Sequence, residues 1–321
     1  MADFRLLIHS ARQIVQVVNN NKLVCKGREM NQLAILEDNN GCSIVVDCQG
    51  NIHAIGLDVE IKERFSDAQF QEVIDATGMC IVPGFVDGHT HAIWEGDRVH
   101  EFAMKLAGAT YMEVHQAGGG IMFTVDHVRK APEETLLKNF KANAHKMLEA
   151  GTTLAECKSG YGLDMGADIG ATAISHLEHV SDEGISAMVQ SGTIGVVLPT
   201  TAYILRLEPP PTRKMIDAGM GVALGSDFNP NAHCLAMPVV MHLACVLQKI
   251  SLNEALVAAT INAAASLRKS ETHGSIEVGK VADLLIIDAP RWEHIIYQLG
   301  SHQHVISHVI KGGKIVHQKR K

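Results

Sequence analysis

The chain has 321 residues, 46% of them hydrophobic and 4% aromatic, with a formal net charge of −7. That length and apolar share support a large domain plus a small one, and the acidic balance without a basic stripe leaves no footprint for nucleic acid and points to a small-molecule partner. Seven cysteines with no C-x-x-C pair speak against a disulfide framework or a structural zinc knuckle; no apolar stretch approaches the ~18 to 20 residues of a membrane span and no secretory layout opens the chain, so a soluble, cytoplasmic protein is the expectation.

Residues 1–80 carry short apolar runs, Leu6 to Ile8, Ile14 to Val18, Ile44 to Val46 and Ile52 to Ile55, separated by turn signals such as Gln49-Gly50-Asn51 in the manner of antiparallel strands. Between residues 81 and 274 the rhythm becomes helix then strand. Pro132 opens a helix whose Leu136, Leu137, Phe140, Ala144, Met147 and Leu148 follow the 3.6 spacing, and Gly151 ends it before the strand TTLAEC. A strand near Ala171 to Leu177 leads to a helix from about Ser181; Ile194 to Leu198 is strand again, EPPPT is a surface connector, and GVALGSD is a further strand after Gly219. Ser251 and Glu254 make a capping box for one long alanine-rich helix. At the end, Ala282 to Ile287 and the hairpin VIKGGKIVH around Gly312-Gly313 return to the opening pattern. The fold class expected is α/β, a parallel (β/α) body over 81–274 with a small β-sandwich domain built from residues 1–80 and 275–321.

Within VPGFVDGHTHAIWEG, residues 82 to 96, His89 and His91 stand at i and i+2. On a strand such a pair points to one face, and at the strand end both imidazoles reach one cation; zinc or iron suits two nitrogens and an oxygen. The spacing alone also describes a satisfied surface pair, as His302 and His304 of GSHQHV are expected to be. Asp227 in GSDFNP closes another apolar strand, and by itself reads equally as a helix cap or Asx turn. The Gly118 to Gly120 run is a loop signal and not a dinucleotide fingerprint, because no strand leads into it.

P-G-F-V-D-x-H-T-H with a later G-S-D is similar to the amidohydrolase superfamily. The stretches RVHEFAMKLAGATYMEVHQAGGGI (98 to 121), TTLAECKSGYGLD (152 to 164), AISHLEHVSDEGI (173 to 185), LPTTAYILRL (198 to 207) and ALGSDFNPNAHCLAMPVVMHLA (223 to 244) resemble the imidazolonepropionase family over nearly the whole chain. The resemblance implies an amidohydrolase (β/α) barrel that opens a cyclic amide, 4-imidazolone-5-propanoate, with a metal-activated water to give N-formimidoyl-L-glutamate in histidine degradation. It implies one zinc or iron ion on His89, His91 and Asp227, with Arg98 and Tyr161 holding substrate, His176 assisting at the reacting carbonyl and Asn229 near the amide end. Without it, Arg98 reads as a salt-bridge residue, Tyr161 as a half-buried ring and His176 as a satisfied histidine. Lys158 is not assigned as a carbamylated ligand, since the resemblance implies a single metal.

A (β/α)₈ barrel spends ~31 residues per unit, which separates its first and last strands by ~220, yet His89 and Asp227 are 138 positions apart. Five strand candidates remain, near 81–88, 152–157, 172–177, 193–198 and 221–226. The deficit of roughly 80 residues, about three βα units, falls after Met165. The family's histidine-glycine-x-glutamate segment, carrying a third metal histidine and the general-base glutamate, and its alanine-histidine-serine segment have no counterpart in this chain. Two readings follow: a metal hydrolase of shortened form, or a non-catalytic chain acting by association, with a homo-oligomer left open.

Overall fold

The computed structural model describes residues 2–158 and 171–319. Five strands from the first part of the chain, β1 (Phe4–Val17), β2 (Ala34–Val46), β3 (Ile52–Leu57), β4 (Phe70–Asp75) and β5 (Cys80–Pro83), precede five shorter ones, β6 (Phe85–Thr90), β7 (Thr152–Cys157), β8 (Ala173–Ser175), β9 (Ile194–Val197) and β10 (Val222–Leu224). β11 (Leu284–Ile287), β12 (Ile306–Lys311) and β13 (Lys314–Gln318) close the chain. One eight-stranded sheet runs β13-β12-β11-β5-β1-β2-β3, with β4 on the first half of β1 and β5 on the second.

The two expected strands before residue 18 are one strand of 14 residues. Its polar middle is a register shift between Ile8 and Ala11 with Ser10 at φ 62, held because Ser10 N and Oγ donate to Asp58 Oδ1 and Oδ2 at 3.1 and 3.0 Å. A bulge with a fixed partner bends the strand without ending it. The Gly312-Gly313 hairpin forms as expected, both glycines at positive φ (55 and 72).

Alternation explains how this sheet joins the rest. Leu284 and Ile286 of β11, with Ile81 of β5, pack into the core between the sheet's arms, whereas Leu285, Ile287, Cys80 and Val82 face the core of the helical body. A strand buried on both faces reads as an unbroken apolar run, which is why LLII has no polar positions. The chain passes from the sheet to the body at Gly84, where any Cβ would stand 2.3 Å from Thr153 Oγ1.

In the body, β8, β9 and β10 form a parallel sheet and β6 and β7 a second. The two are stitched together where Asp227 N donates to His89 O at 2.8 Å and His91 N to Phe228 O at 3.0 Å, beside a parallel Thr90–Phe228 bridge. The resulting arc runs β8-β9-β10-β6-β7. It has five parallel strands among the described residues, and its two ends, β7 and β8, are consecutive in the chain. A closed barrel of this type has eight strands, three more than the described residues form in this body.

Helix ends follow the sequence signals. Pro132 caps Glu133–Glu149, and Ser181 caps Asp182–Ser191, its Oγ accepting from Gly184 N. The capping box of Ser251 and Glu254 is present, but the single long helix is instead two, Leu252–Ala258 and Ile261–Ser266. Thr260 breaks it at φ −133, ψ −98, its hydroxyl donating to Leu256 O at 2.6 Å. The break turns the buried Asn262 toward Cys25 and Val222, whose carbonyls accept from Nδ2 at 2.9 Å each while Oδ1 accepts from Cys25 N at 2.8 Å. Within EPPPT, Pro210 and Thr212 are buried, so that connector is partly interior. No helix among the described residues is long and apolar enough to cross a membrane.

Candidate metal centre

Close approach of β6 and β10 creates the site. A Cβ on Gly225 would lie 2.8 Å from His89 Cβ, and one on Gly88 would lie 3.0 Å from Leu224 O; only glycine lets the two strands come this near. Behind the centre the fully buried Asp87 ties both strands, Oδ1 accepting from Ser226 N at 2.8 Å and His89 N at 3.2 Å. Burial pushes its carboxyl up to about 7.

At the strand ends, His89 Nε2 and His91 Nε2 face Asp227 Oδ1 at 3.6 and 3.5 Å. The three donor atoms lie within 4.8 Å of one another. Asp227 takes the left-handed conformation, φ 48, and its Oδ2 accepts from Thr201 Oγ1 at 2.5 Å. Ser175 Oγ holds His89 Nδ1 at 2.8 Å, which turns Nε2 to the centre. Thr201 and Ser175 carry no motif; their signal is only that each follows or ends a body strand.

His89 Nε2 is buried with no hydrogen-bond partner. An orphaned, nearly inaccessible nitrogen aimed at a carboxylate fits a cation, since burial without a partner is costly. Two imidazole nitrogens and one carboxylate oxygen are a donor set for a catalytic transition-metal site with an open position.

Burial, reinforced by Lys158, His91 and His176, pushes His89 down to about 3; burial also lowers His91, against the pull of Asp227. Depressed pKa values delay proton competition with a metal. Zinc affinity is therefore expected to change little between pH 7.5 and 5.5, whereas two ordinary imidazoles of pKa about 6.5 would lose about 10²-fold. Competition titration with a chelator at the two pH values checks this; a hundredfold loss contradicts it.

The other candidates are spread around this centre. His176 is half-exposed, its ring centroid 5.5 Å from that of His89, and both it and Leu177 have positive φ (78 and 71). The Glu178 carboxylate, its Oε1 3.7 Å from His176 Nδ1, raises the pKa of His176. Asn229 is engaged within its own turn: Nδ2 donates to Asp227 O at 2.5 Å, and Oδ1 accepts from Asn231 N and Ala232 N. Arg98 lies on the wall of a cavity of about 720 Å³ lined also by Trp94, Phe102, Tyr203, Asn231 and His233. Phe228, next to Asp227 in the chain, packs on two of these residues, its ring 4.8 Å from Trp94 and 5.1 Å from His233. Tyr161 lies outside the described residues. The pair expected at the surface is divided: His302 is buried and His304 exposed, because they sit in a helical turn, His302–Val305, where i and i+2 diverge.

Comparison with known proteins gives the family. The amidohydrolase family matches residues 164–317. Proteins named probable imidazolonepropionase are 44% identical in Nematostella vectensis (98% of this chain, 99% of the relative), 43% in Danio rerio (99% and 98%) and 42% in Homo sapiens (98% and 98%). The first alignment spans 426 positions against a chain of 321 residues, so at least 105 have no counterpart here, more than the roughly 80 given by counting barrel units. A zinc-bound adenosine deaminase from Xanthomonas campestris (16% identity, TM-score 0.67, 97% and 92% covered) and a triazine hydrolase variant (14%, 0.73, 98% and 94%) share the fold. Glycines that let two strands deliver His89, His91 and Asp227 to one point, and identity above 40% along nearly the full length of these relatives, place the chain in the imidazolonepropionase family of metal-dependent amidohydrolases.

Proposed function

We propose that the site serves the hydrolytic ring opening of 4-imidazolone-5-propanoate to N-formimidoyl-L-glutamate, with one zinc or iron ion on His89, His91 and Asp227. The convergence of those three donors around an orphaned imidazole nitrogen carries the reading. A bound ion supplies a water whose pKa is lowered toward ~7. The chain's own residues do the rest. Asp227, steadied by Thr201, holds its Oδ1 toward both histidines. His176 turns Nδ1 to Glu178, which favours the protonated ring and leaves Nε2 to donate to the reacting carbonyl. Arg98 takes the propionate carboxylate, a pairing that suits its planar fork. Tyr161 joins it on the substrate, and Asn229 sits toward the amide end. The sheet shared by both chain ends supports treating residues 1–80 and 275–321 as a β unit beside a catalytic body, 81–274.

One observation favours a second reading. Among the described residues the arc stops at β7 and β8, three strands short of a closed barrel, which suits a chain that holds metal and associates without turnover. Incubating the zinc-loaded chain with the imidazolone and following loss of its ultraviolet absorbance separates the two. Slow, metal-dependent formation of N-formimidoyl-L-glutamate, lost on Asp227→Ala, is the expected result; a rate no different from buffer overturns the catalytic reading for this chain.

A further inference from the structure

We infer that Glu101 is a positioning residue for Arg98, and that the Gly118-Gly119-Gly120 turn is the seat that holds Glu101. The inference rests on the reading of Arg98 as the carboxylate clamp. Arg98 precedes the helix Val99–Leu106, and Glu101 lies in its first turn. Arg98 Nε donates to Glu101 Oε1 at 2.8 Å and Nη2 to Oε2 at 2.5 Å. A guanidinium has five donors in one plane, so this contact occupies one edge and leaves the Nη1 protons and the second Nη2 proton as an end-on fork. Fixing one edge fixes the direction of the other. Water competes little for the contact, because the side chains are 9% and 1% exposed.

The glycine run, otherwise without a role, explains how a carboxylate is kept there. Gly120 N donates to Glu101 Oε1 at 2.9 Å. A Cβ on Gly119 would lie 2.9 Å from Glu101 Cδ and 2.9 Å from Val114 O, and Gly118 and Gly120 take φ 83 and 85. Two left-handed positions flanking one close approach call for three glycines in a row. Lys105, one turn beyond Glu101, hydrogen-bonds Asn231 in the loop after Asp227, which ties this wall to the metal-bearing segment. An arginine ordered before the ligand arrives spares the entropy of ordering a long side chain on binding.

The test compares 3-(imidazol-4-yl)propanoate with its carboxamide, equal in size and uncharged, by calorimetry on the zinc-loaded chain. Unaltered protein is expected to prefer the carboxylate, and Glu101→Gln to reduce that preference on the order of tenfold with carboxamide affinity kept. Gly119→Ala, which displaces Glu101 without removing it, should act in the same direction, and Glu101→Asp should recover part of the preference. A Glu101→Gln protein with the full preference overturns the inference while the Arg98 reading stands. Parallel loss of both ligands overturns it too, by showing a structural role alone. Unaltered protein that does not distinguish the ligands removes the Arg98 reading, and the inference with it.

Discussion

Restoring the absent central segment, taken from a relative, is expected to raise kcat/KM for 4-imidazolone-5-propanoate by about 10²- to 10⁴-fold over the 321-residue chain, the usual contribution of a positioned general base. At least 105 positions of the Nematostella vectensis relative's alignment have no counterpart here, and the histidine-glycine-x-glutamate segment that the resemblance implies does not occur in this sequence. Among the described residues no carboxylate beside the centre is left in its place. Glu156 is paired with Lys158, Nζ to Oε1 at 2.9 Å, and Glu178 Oε1 faces His176 Nδ1 at 3.7 Å. The open arc compounds the loss, because among the described residues β7 and β8 are edge strands where a closed barrel would satisfy the backbone. Steady-state kinetics on monodisperse, metal-loaded preparations of both chains checks the expectation. Equal rates would mean that another group takes the proton.

Removal of Asp227 is expected to abolish stoichiometric metal binding. Asp227→Ala leaves two imidazoles, one of them nearly inaccessible, without the only carboxylate among the clustered donors. Its supports should matter less but measurably: Thr201→Val and Ser175→Ala remove the partners of Asp227 Oδ2 and His89 Nδ1, and residues of that kind typically contribute 10- to 100-fold in metal affinity. Metal analysis after dialysis, with chelator competition for the two weaker variants, measures both. An Asp227→Ala protein that retains zinc one-to-one would place the metal on other ligands.

Local order determined much of what the sequence made legible. Apolar runs set off by turn signals mark β1, β2 and β11, Pro132 with Gly151 and Ser181 with Gly192 bracket the helices Glu133–Glu149 and Asp182–Ser191, and paired positive-φ glycines mark the last hairpin, because each depends on neighbours a few residues away. The candidate metal donors were only partly readable in this way: His89 and His91 share a strand face, but that spacing equally describes a surface pair and Asp227 equally a cap, and it was the family resemblance, not local order, that joined the three. The internal deficit was readable too, since barrel units have a nearly constant length.

Tertiary contact decided the rest. Whether Ser10 ends a strand or bulges within it depends on Asp58, 48 residues away. Whether alanines 255 to 265 form one helix or two depends on Thr260 and on the carbonyls of Cys25 and Val222 that Asn262 must reach. His302 is buried by the turn around it, although its H-x-H spacing equals that of His89 and His91. Thr201 and Ser175 join the centre because β8 and β9 lie beside β10 and β6, and Glu101 meets the glycine run because the chain folds back on itself 19 residues later. Periodicity encodes which face of an element is apolar; which polar groups meet across elements depends on packing, and no local pattern carries it.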